Sequence, residues 1–374
     1  MNDVLDVAIS LLCGTTGGPA TYGRRLAAAL GRRSDVRTTV LTDRPELVDA
    51  PGVATMDVPM RGGLDRLRWQ HLALPRAMRS VRPSVYHDTK NALPFGLRIP
   101  AVVTVHDLAY HTVPATFGFA SRTFLRAATA HAVKRARAIV VPSEATARDL
   151  RSIHPHCAER IHVVPHGIDP ARDVPADRRD EVRRRLVLPQ RFVLHTGTIQ
   201  ARKNVDLVIA GVREVRRRGL PHRAVVVGRR GWLADAAMRE IERDDTALWI
   251  PHANDDDLAA IYAMADAFVS PSAYEGFGFA VADALAAGVP TIVANNSSLP
   301  ELCGDGAILL PSLDAQAVAA ALEKVLLDDA VGARLRRAGP ARAAQFTWEK
   351  AAAGHVLAYY DAVAGGLPRT TPNA

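Results

Sequence analysis

Residues 270–301 read SPSAYEGFGFAVADALAAGVPTIVANNSSLPE. An apolar run ends at Ser270, and a loop carrying Glu275, Gly276, Phe277 and Gly278 follows. The spacing of apolar residues predicts a helix over 279–287. Gly288 is a natural stop for it, and the apolar run 289–293 predicts the next strand. Strand, loop, helix and strand in that order describe a βαβ unit with a parallel sheet.

The same alternation extends in both directions. Candidate strands lie at 4–11, 37–41, 84–86, 101–105, 138–141 and 161–164, then at 192–195, 224–227, 248–250, 267–269 and 291–293. Helical patterns separate them, for example at 20–30 and 122–135. Near-continuous Val, Ile and Leu strands alternating with helices imply parallel sheets covered on both faces. The stretch PHGIDPARDVPADRRD at 165–180 lacks apolar periodicity and reads as a linker. A chain of 374 residues is long for one core. The expected fold is therefore α/β, with two Rossmann-like doubly wound domains facing across a cleft. The first would span 1–168, a linker 169–184, and the second 185–345. A last helix within 346–365, following a polar bend, would be succeeded by a loose tail.

Hydrophobic residues make up 48% of the chain, enough for two cores and against disorder. Cys13, Cys157 and Cys303 are too far apart, and odd in number, for a disulfide framework or a zinc site, so reduced cytoplasmic thiols are expected. The opening MNDVLDVAISLLCG has acids where a signal segment needs basic residues, so it reads as a buried strand. No apolar run approaches a membrane span. Residues 1–180 carry 25 Lys and Arg against 17 Asp and Glu, whereas 181–374 carry 22 of each. The net +8 thus sits in the first half. It fits either an anionic partner or an ordinary solvated surface. Within it, 61–82 alternates Arg66, Arg68, Arg76, Arg79 and Arg82 with Leu64, Leu67, Trp69, Leu72 and Leu74. That pattern suggests a basic amphipathic surface for an anionic membrane, although Pro75 interrupts it.

Four places carry candidate chemistry. The first strand runs into Gly14-Thr15-Thr16-Gly17-Gly18-Pro19, where glycines and a helix start suit an anion, although a plain tight turn explains them as well. The strand at 101–105 ends in His106-Asp107, polar residues where a doubly wound sheet binds ligands. The strand at 192–195 leads to Gly197, then Arg202 and Lys203 at the start of a helix. Cations there oppose the helix dipole, so a pyrophosphate between them is expected. Lysine is also scarce, five against 42 arginines, which argues against surface filler. Finally, Glu275 and Asp283 have no Lys or Arg near them in sequence, so sugar and ribose hydroxyls are expected as their donors.

These stretches together resemble family 4 of the retaining glycosyltransferases, of the GT-B fold, over nearly the whole chain. The resemblance rests on Gly17-Gly18, His106-Asp107, PHGID at 165–169, GTIQARKN at 197–204, AYEGFGFAVADALAAGVP at 273–290, SSLPE at 297–301 and FTWEKAA at 346–352. The pattern HDLAYHTVPATF followed by VVPSEATARDL is similar to bacterial mannosyltransferases of surface-polysaccharide type. The resemblance implies that Arg202 and Lys203 hold a donor pyrophosphate and that Glu275 binds the transferred sugar. Backbone N–H groups of Phe277, Gly278 and Phe279 would cradle sugar and phosphate. Asp283, in place of the family's usual second Glu, would bind the ribose. His106 would lie beside the donor sugar, Gly17 and Gly18 would touch phosphate or acceptor, and Ala253 would meet the base through its backbone. The last helix would cross back to the first domain. Two departures stand out: Asp283 is shorter than Glu, and Thr198 stands where some relatives have Arg.

The implied reaction is a metal-independent hexosyl transfer, with retention, from a GDP- or UDP-sugar to a hydroxyl of a glycan, a lipid-linked acceptor or a small molecule. His106, Glu275, Arg202 and Lys203 would be catalytic. No cofactor, metal or nucleic acid is expected; Asp255-Asp256-Asp257 reads as acids opening a helix. Cytoplasmic location is expected, with peripheral contact at the inner membrane face. The rival readings are a nucleotide-sugar epimerase, a phosphorylase on the same fold, and a two-lobed sugar-binding protein.

Overall fold

The computed structural model describes residues 4–12, 17–58, 65 and 68–365. They form two compact units. One holds the chain up to Leu108, Phe119–Gly167 and the chain from Thr347 on; the other holds Ala109–Gly118 and Ile168–Phe346.

The first unit is built on a seven-stranded sheet: β1 (Leu5–Ser10), β2 (Val36–Thr42), β3 (Val53–Asp57), β4 (Val85–Asp88), β5 (Ala101–Thr104), β6 (Ala138–Val141) and β7 (Ile161–Val163). Their order is β3-β2-β1-β4-β5-β6-β7, and every pairing is parallel. The second unit has β8 (Phe192–Thr196), β9 (Arg223–Val227), β10 (Ala247–Ile250), β11 (Ala267–Ser270), β12 (Thr291–Ala294) and β13 (Ala307–Leu310). Its order is β10-β9-β8-β11-β12-β13, again all parallel. In each sheet the winding reverses once, between β1 and β4 and between β8 and β11. Ligands of doubly wound folds bind beyond the strand ends at such a reversal.

The apolar runs follow from burial on both sheet faces. Phe192 and Leu194 of β8 enter one core, with Phe268, Val281 and Leu285. Val193, between them, enters the other, with Val208, Val226 and Ile292. Each such side chain contributes roughly 1.5–3 kcal/mol through burial.

Three sequence expectations need correction. The edge strands β3 and β13 are missing from the expected set: β3, VATMD, is largely exposed and has no continuous apolar run, whereas β13, AILL, is a short, wholly apolar run that the reading passed over. The expected linker 169–184 lies within the second unit and is partly helical, over Ala176–Arg185. That helix buries a single apolar residue, Val182, so its periodicity was invisible. Asp257 holds it instead: this buried carboxylate pairs with Arg178 at 3.0 Å and Arg185 at 2.5 Å. Thus Asp257 is more than one of three acids opening the helix Asp255–Met264; the cap there is Asn254, whose side chain accepts from the Asp257 N–H at 2.8 Å.

In the basic stretch, the apolar residues Leu74 and Met78 face the protein's own core, while Leu72, Arg68, Arg76, Arg79 and Arg82 are exposed. Leu64, Arg66 and Leu67 lie outside the described residues, as do Cys13 and Gly14-Thr15-Thr16. Cys157 and Cys303 are buried free thiols. Among the described residues, no helix is long and apolar enough to cross a membrane.

Candidate active site

In the second unit, the reversal point brings together the loops that leave β8 and β11. The β8 loop turns at Gly197, makes one tight turn over Ala201–Lys203, and enters the helix Val205–Arg217 through Asn204, whose φ is 49°. The β11 loop runs through 271–278 into the helix Phe279–Ala286. Backbone and side chain stitch the two loops together. The Ala273 N–H donates to the Arg202 carbonyl at 2.8 Å, and the Asn204 amide donates to the Pro271 carbonyl at 2.8 Å.

This stitching places both cations on one carboxylate. Lys203 Nζ lies 2.5 Å from Glu275 Oε1, and Arg202 Nη1 lies 3.0 Å from Glu275 Oε2. Arg202 also donates to the Tyr274 carbonyl. All three side chains are nearly buried. The expectation that Glu275 lacks cationic neighbours holds only along the sequence; in space it has two. Burial alone would raise the Glu275 carboxyl, and is the largest influence on it. The charges of Arg202 and Lys203, with hydrogen bonds from Lys203 and Ser272, together outweigh burial and hold it at about 2.

The backbone of Glu275 is fixed by the SSLPE segment. Its N–H donates to Ser297 Oγ and its carbonyl accepts from Ser298 Oγ, both at 2.9 Å. Ser298 Oγ also lies 3.2 Å from the Phe277 carbonyl. Phe277 itself is buried edge-on to Phe279, at 5.3 Å between ring centroids, so only its backbone can serve a ligand. Gly278 caps the following helix with φ 100°, a conformation that glycine adopts without strain. Gly17 does the same for the helix Gly18–Gly31, with φ 93°.

Asp283 lies eight positions after Glu275, on the helix that the β11 loop enters. It is exposed on the Phe279–Ala286 helix, and its charge acts on the phenol of Tyr262. Tyr262 donates to the Ala280 carbonyl at 3.1 Å and lies 2.6 Å from Thr196 Oγ1, which ties this helix start to the end of β8. Ala253 is half-buried against the core, just before the helix Asp255–Met264.

Sequence reasoning missed His195, although it too is a polar residue near the end of a parallel strand, the signal that pointed to His106. Its Nδ1 donates to the Val269 carbonyl at 2.8 Å, while Nε2 is buried without a hydrogen-bond partner. Burial pushes its pKa down to about 4, so it is neutral near pH 7, and the charges of Lys203 and Glu275 both act on it.

In the first unit, His106 follows β5. Its Nε2 meets the Thr89 carbonyl at 2.8 Å, and its Nδ1 meets His166 Nε2 at 3.2 Å. Thr89 in turn donates to the Ser10 carbonyl at the end of β1, at 2.6 Å. His106 therefore sits at this sheet's reversal point with both ring nitrogens engaged. Sequence reasoning quoted His166 only as part of PHGID and did not see the pair, whose members are 60 positions apart.

Residues 178–342 match the family Glycosyl transferases group 1, and residues 16–172 match Glycosyltransferase Family 4. The chain is 28% identical over 292 residues to O-antigen chain mannosyltransferase B of Escherichia coli, covering 76% of each chain. It is 30% identical over 289 residues to a D-inositol 3-phosphate glycosyltransferase of Corynebacterium aurimucosum, covering 72% of this chain and 68% of the other. Among solved structures it is similar to Anabaena HepE in complex with UDP and glucose, with a TM-score of 0.75 and 18% identity, covering 94% of this chain and 98% of that one. Two successive family matches, two all-parallel doubly wound sheets and these relatives agree: the chain belongs to family 4 of the glycosyltransferases and has the GT-B fold.

Proposed function

We propose that this glycosyltransferase takes a hexosyl group from a nucleotide sugar, GDP-mannose first and a UDP-hexose second, and delivers it with retention to an acceptor hydroxyl. The observation that carries the reading is the Glu275–Arg202–Lys203 cluster at the reversal point of the second sheet. Mannosyltransferase relatives support the sugar, and a neighbour solved with UDP and glucose supports a nucleotide-sugar donor.

A donor diphosphate would take over Arg202 and Lys203, and backbone N–H groups at 277–279 would meet its oxygens. Glu275 would turn from the cations towards the sugar hydroxyls. With its oxygens then accepting from the sugar hydroxyls, Glu275 would not be free to attack the anomeric carbon. This favours a same-face reaction. The anomeric carbon–phosphate oxygen bond breaks, the anomeric carbon–acceptor oxygen bond forms, and the leaving diphosphate oxygen takes the acceptor's proton. Arg202 and Lys203 would neutralise the charge that grows on the diphosphate, the task a metal ion performs in other transferases. Asp283 would accept from the ribose, Ala253 would meet the base, and Gly17 and Gly18 would approach phosphate or acceptor.

The acceptor is a glycan, a lipid-linked sugar or a small molecule. For a lipid-linked acceptor, the exposed arginines of 68–82 with Leu72, Phe95, Phe119 and Phe124 would meet an anionic membrane surface.

Incubation with a panel of nucleotide sugars, following nucleoside diphosphate release and the anomeric configuration of the product, tests the reading. Release of diphosphate with a retained anomeric centre is expected. Conversion of the donor sugar without an acceptor would point to an epimerase, and binding without turnover to a sugar-binding protein.

A further inference from the structure

The first unit buries an unusual group of ionisable side chains. Tyr22, His87, Thr104, His166, His355 and Tyr359 are all essentially inaccessible, and His106 is half-buried beside them. Burial is the main reason that His106 and His355 are pushed down to about 4, and that His87 and His166 also lie well below the usual range. With neutral rings, every proton in the group can be placed, because the hydrogen bonds end on carbonyls, which only accept.

One chain of bonds ends on Ala351. His355 Nδ1 lies 2.7 Å from the Ala351 carbonyl, so Nδ1 carries the proton and Nε2 accepts. Tyr22 then donates to His355 Nε2 at 2.6 Å and accepts from Thr104 at 2.8 Å. Thr104 accepts from His87 Nε2 at 2.8 Å, which leaves His87 Nδ1 to accept from Tyr359 at 2.8 Å. The last helix, Trp348–Ala364, thus joins the sheet through a run of bonds in which every donor meets an acceptor.

The same logic applies to His106. Its Nε2 faces the Thr89 carbonyl and must donate, so Nδ1 accepts and His166 Nε2 is the donor. The ring of Tyr22 packs edge-on to His106 at 4.8 Å and against His166 at 4.4 Å, which holds both rings in place. We propose that His166 is a positioning residue for sugar transfer. The Thr89 carbonyl sets the Nε2–H tautomer of His106, and the His166 Nε2–H occupies the remaining nitrogen, Nδ1, and with it the angle of the ring, so His106 would serve the donor sugar as a fixed, uncharged surface. This rests on the reading of His106 as a neighbour of that sugar. The ionisable groups facing His106 are Asp107 beside it, Lys90 after β4, His87 on β4, His166 after β7, Tyr22 on the first helix and His355 on the last.

Nitrogen-15 NMR of the full chain with labelled histidine tests the assignment without any substrate. The His106 signals are picked out from 13 histidines by their loss in His106→Gln. The Nε2–H tautomer, unchanged from pH 8 to 5.5, is expected. In parallel, GDP release from GDP-mannose is followed in two variants, with water as acceptor where none is supplied. His166→Gln keeps an N–H at nearly the same reach and should turn over within about threefold of the parent. His166→Leu keeps bulk without a donor. Its kcat should fall about tenfold, the worth of one hydrogen bond, with little change in KM. The pH profile should keep the parent's shape down to pH 5.5, because burial, which Leu preserves, is the main reason that His106 stays neutral. The proposal fails if His106 is charged or Nδ1-protonated at pH 7. It fails equally if Leu behaves as the parent, or if Gln falls as far as Leu. Absence of GDP release from GDP-mannose would count against the donor reading alone, and the NMR result would still decide the tautomer.

Discussion

Lys203 and Glu275 are 72 positions apart in the chain and 2.5 Å apart in the structure. The loops after two adjacent parallel strands, β8 and β11, bring them together at the reversal point of the second sheet.

Removing Lys203 should have two separable effects. A charge-assisted contact to diphosphate is worth roughly 1.5–3 kcal/mol, so Lys203→Ala should weaken GDP binding on the order of 10- to 150-fold and slow transfer as well. The same change leaves Glu275 buried with one cation instead of two, so the melting temperature should fall too. Calorimetry and thermal melts of Lys203→Ala, Glu275→Gln and the double variant separate the effects. The double variant should recover stability but not GDP affinity. Near-normal turnover in both Lys203→Ala and Arg202→Ala would end the phosphate assignment.

The two carboxylates should divide their labour. Glu275→Gln should cut turnover by tenfold or more, since a neutral amide accepts more weakly from sugar hydroxyls. Free GDP, which has no sugar, should bind as well as before or more tightly, because the competing carboxylate is gone. Asp283→Asn should weaken GDP binding directly. Asp283→Glu adds roughly 1.5 Å of reach, and should be tolerated or should tighten GDP, because the side chain is exposed. Equal losses of GDP affinity in Glu275→Gln and Asp283→Asn would refute the division.

Acid should destabilise the protein in two windows. His106, His195 and His355 are held at about 4, below the 6.5 of an unfolded histidine. The unfolded chain therefore takes up protons first, and stability present above pH 6.5 is lost as pH falls towards 4. Glu275 is held at about 2, below 4.5, so its contribution is present above pH 4.5 and lost on falling towards 2. Melting temperatures across pH 8 to 3 should decline from about 6.5 downwards, less steeply in His355→Gln. A flat profile between 6.5 and 4 would contradict the neutral histidine cluster.

Membrane contact should depend on charge. Vesicles containing anionic lipid should float the protein at low salt, and binding should fall as salt rises. Phe119→Ser with Phe124→Ser should weaken flotation several-fold, since these rings are 75% and 60% exposed. No flotation at low salt removes the membrane proposal and leaves the transferase reading intact.

Some of this was legible in the sequence because the forces are local. Strands such as 138–141 and 267–269 announce themselves, since burial on both faces leaves no polar position. Gly278 and the acids opening the helix Asp255–Met264 follow from backbone conformation and the helix dipole, which act over one turn. The helix Ala176–Arg185 was not legible, because a buried ion pair to Asp257 holds it in place of an apolar stripe. Nor was the ion pair of Glu275, the brace from Ser297 and Ser298, or the bond from His166 to His106. These contacts join residues 22 to 73 positions apart. A charge or a ring nitrogen acts on whatever lies within a few ångströms, and only the packing of strands beside one another determines what that is.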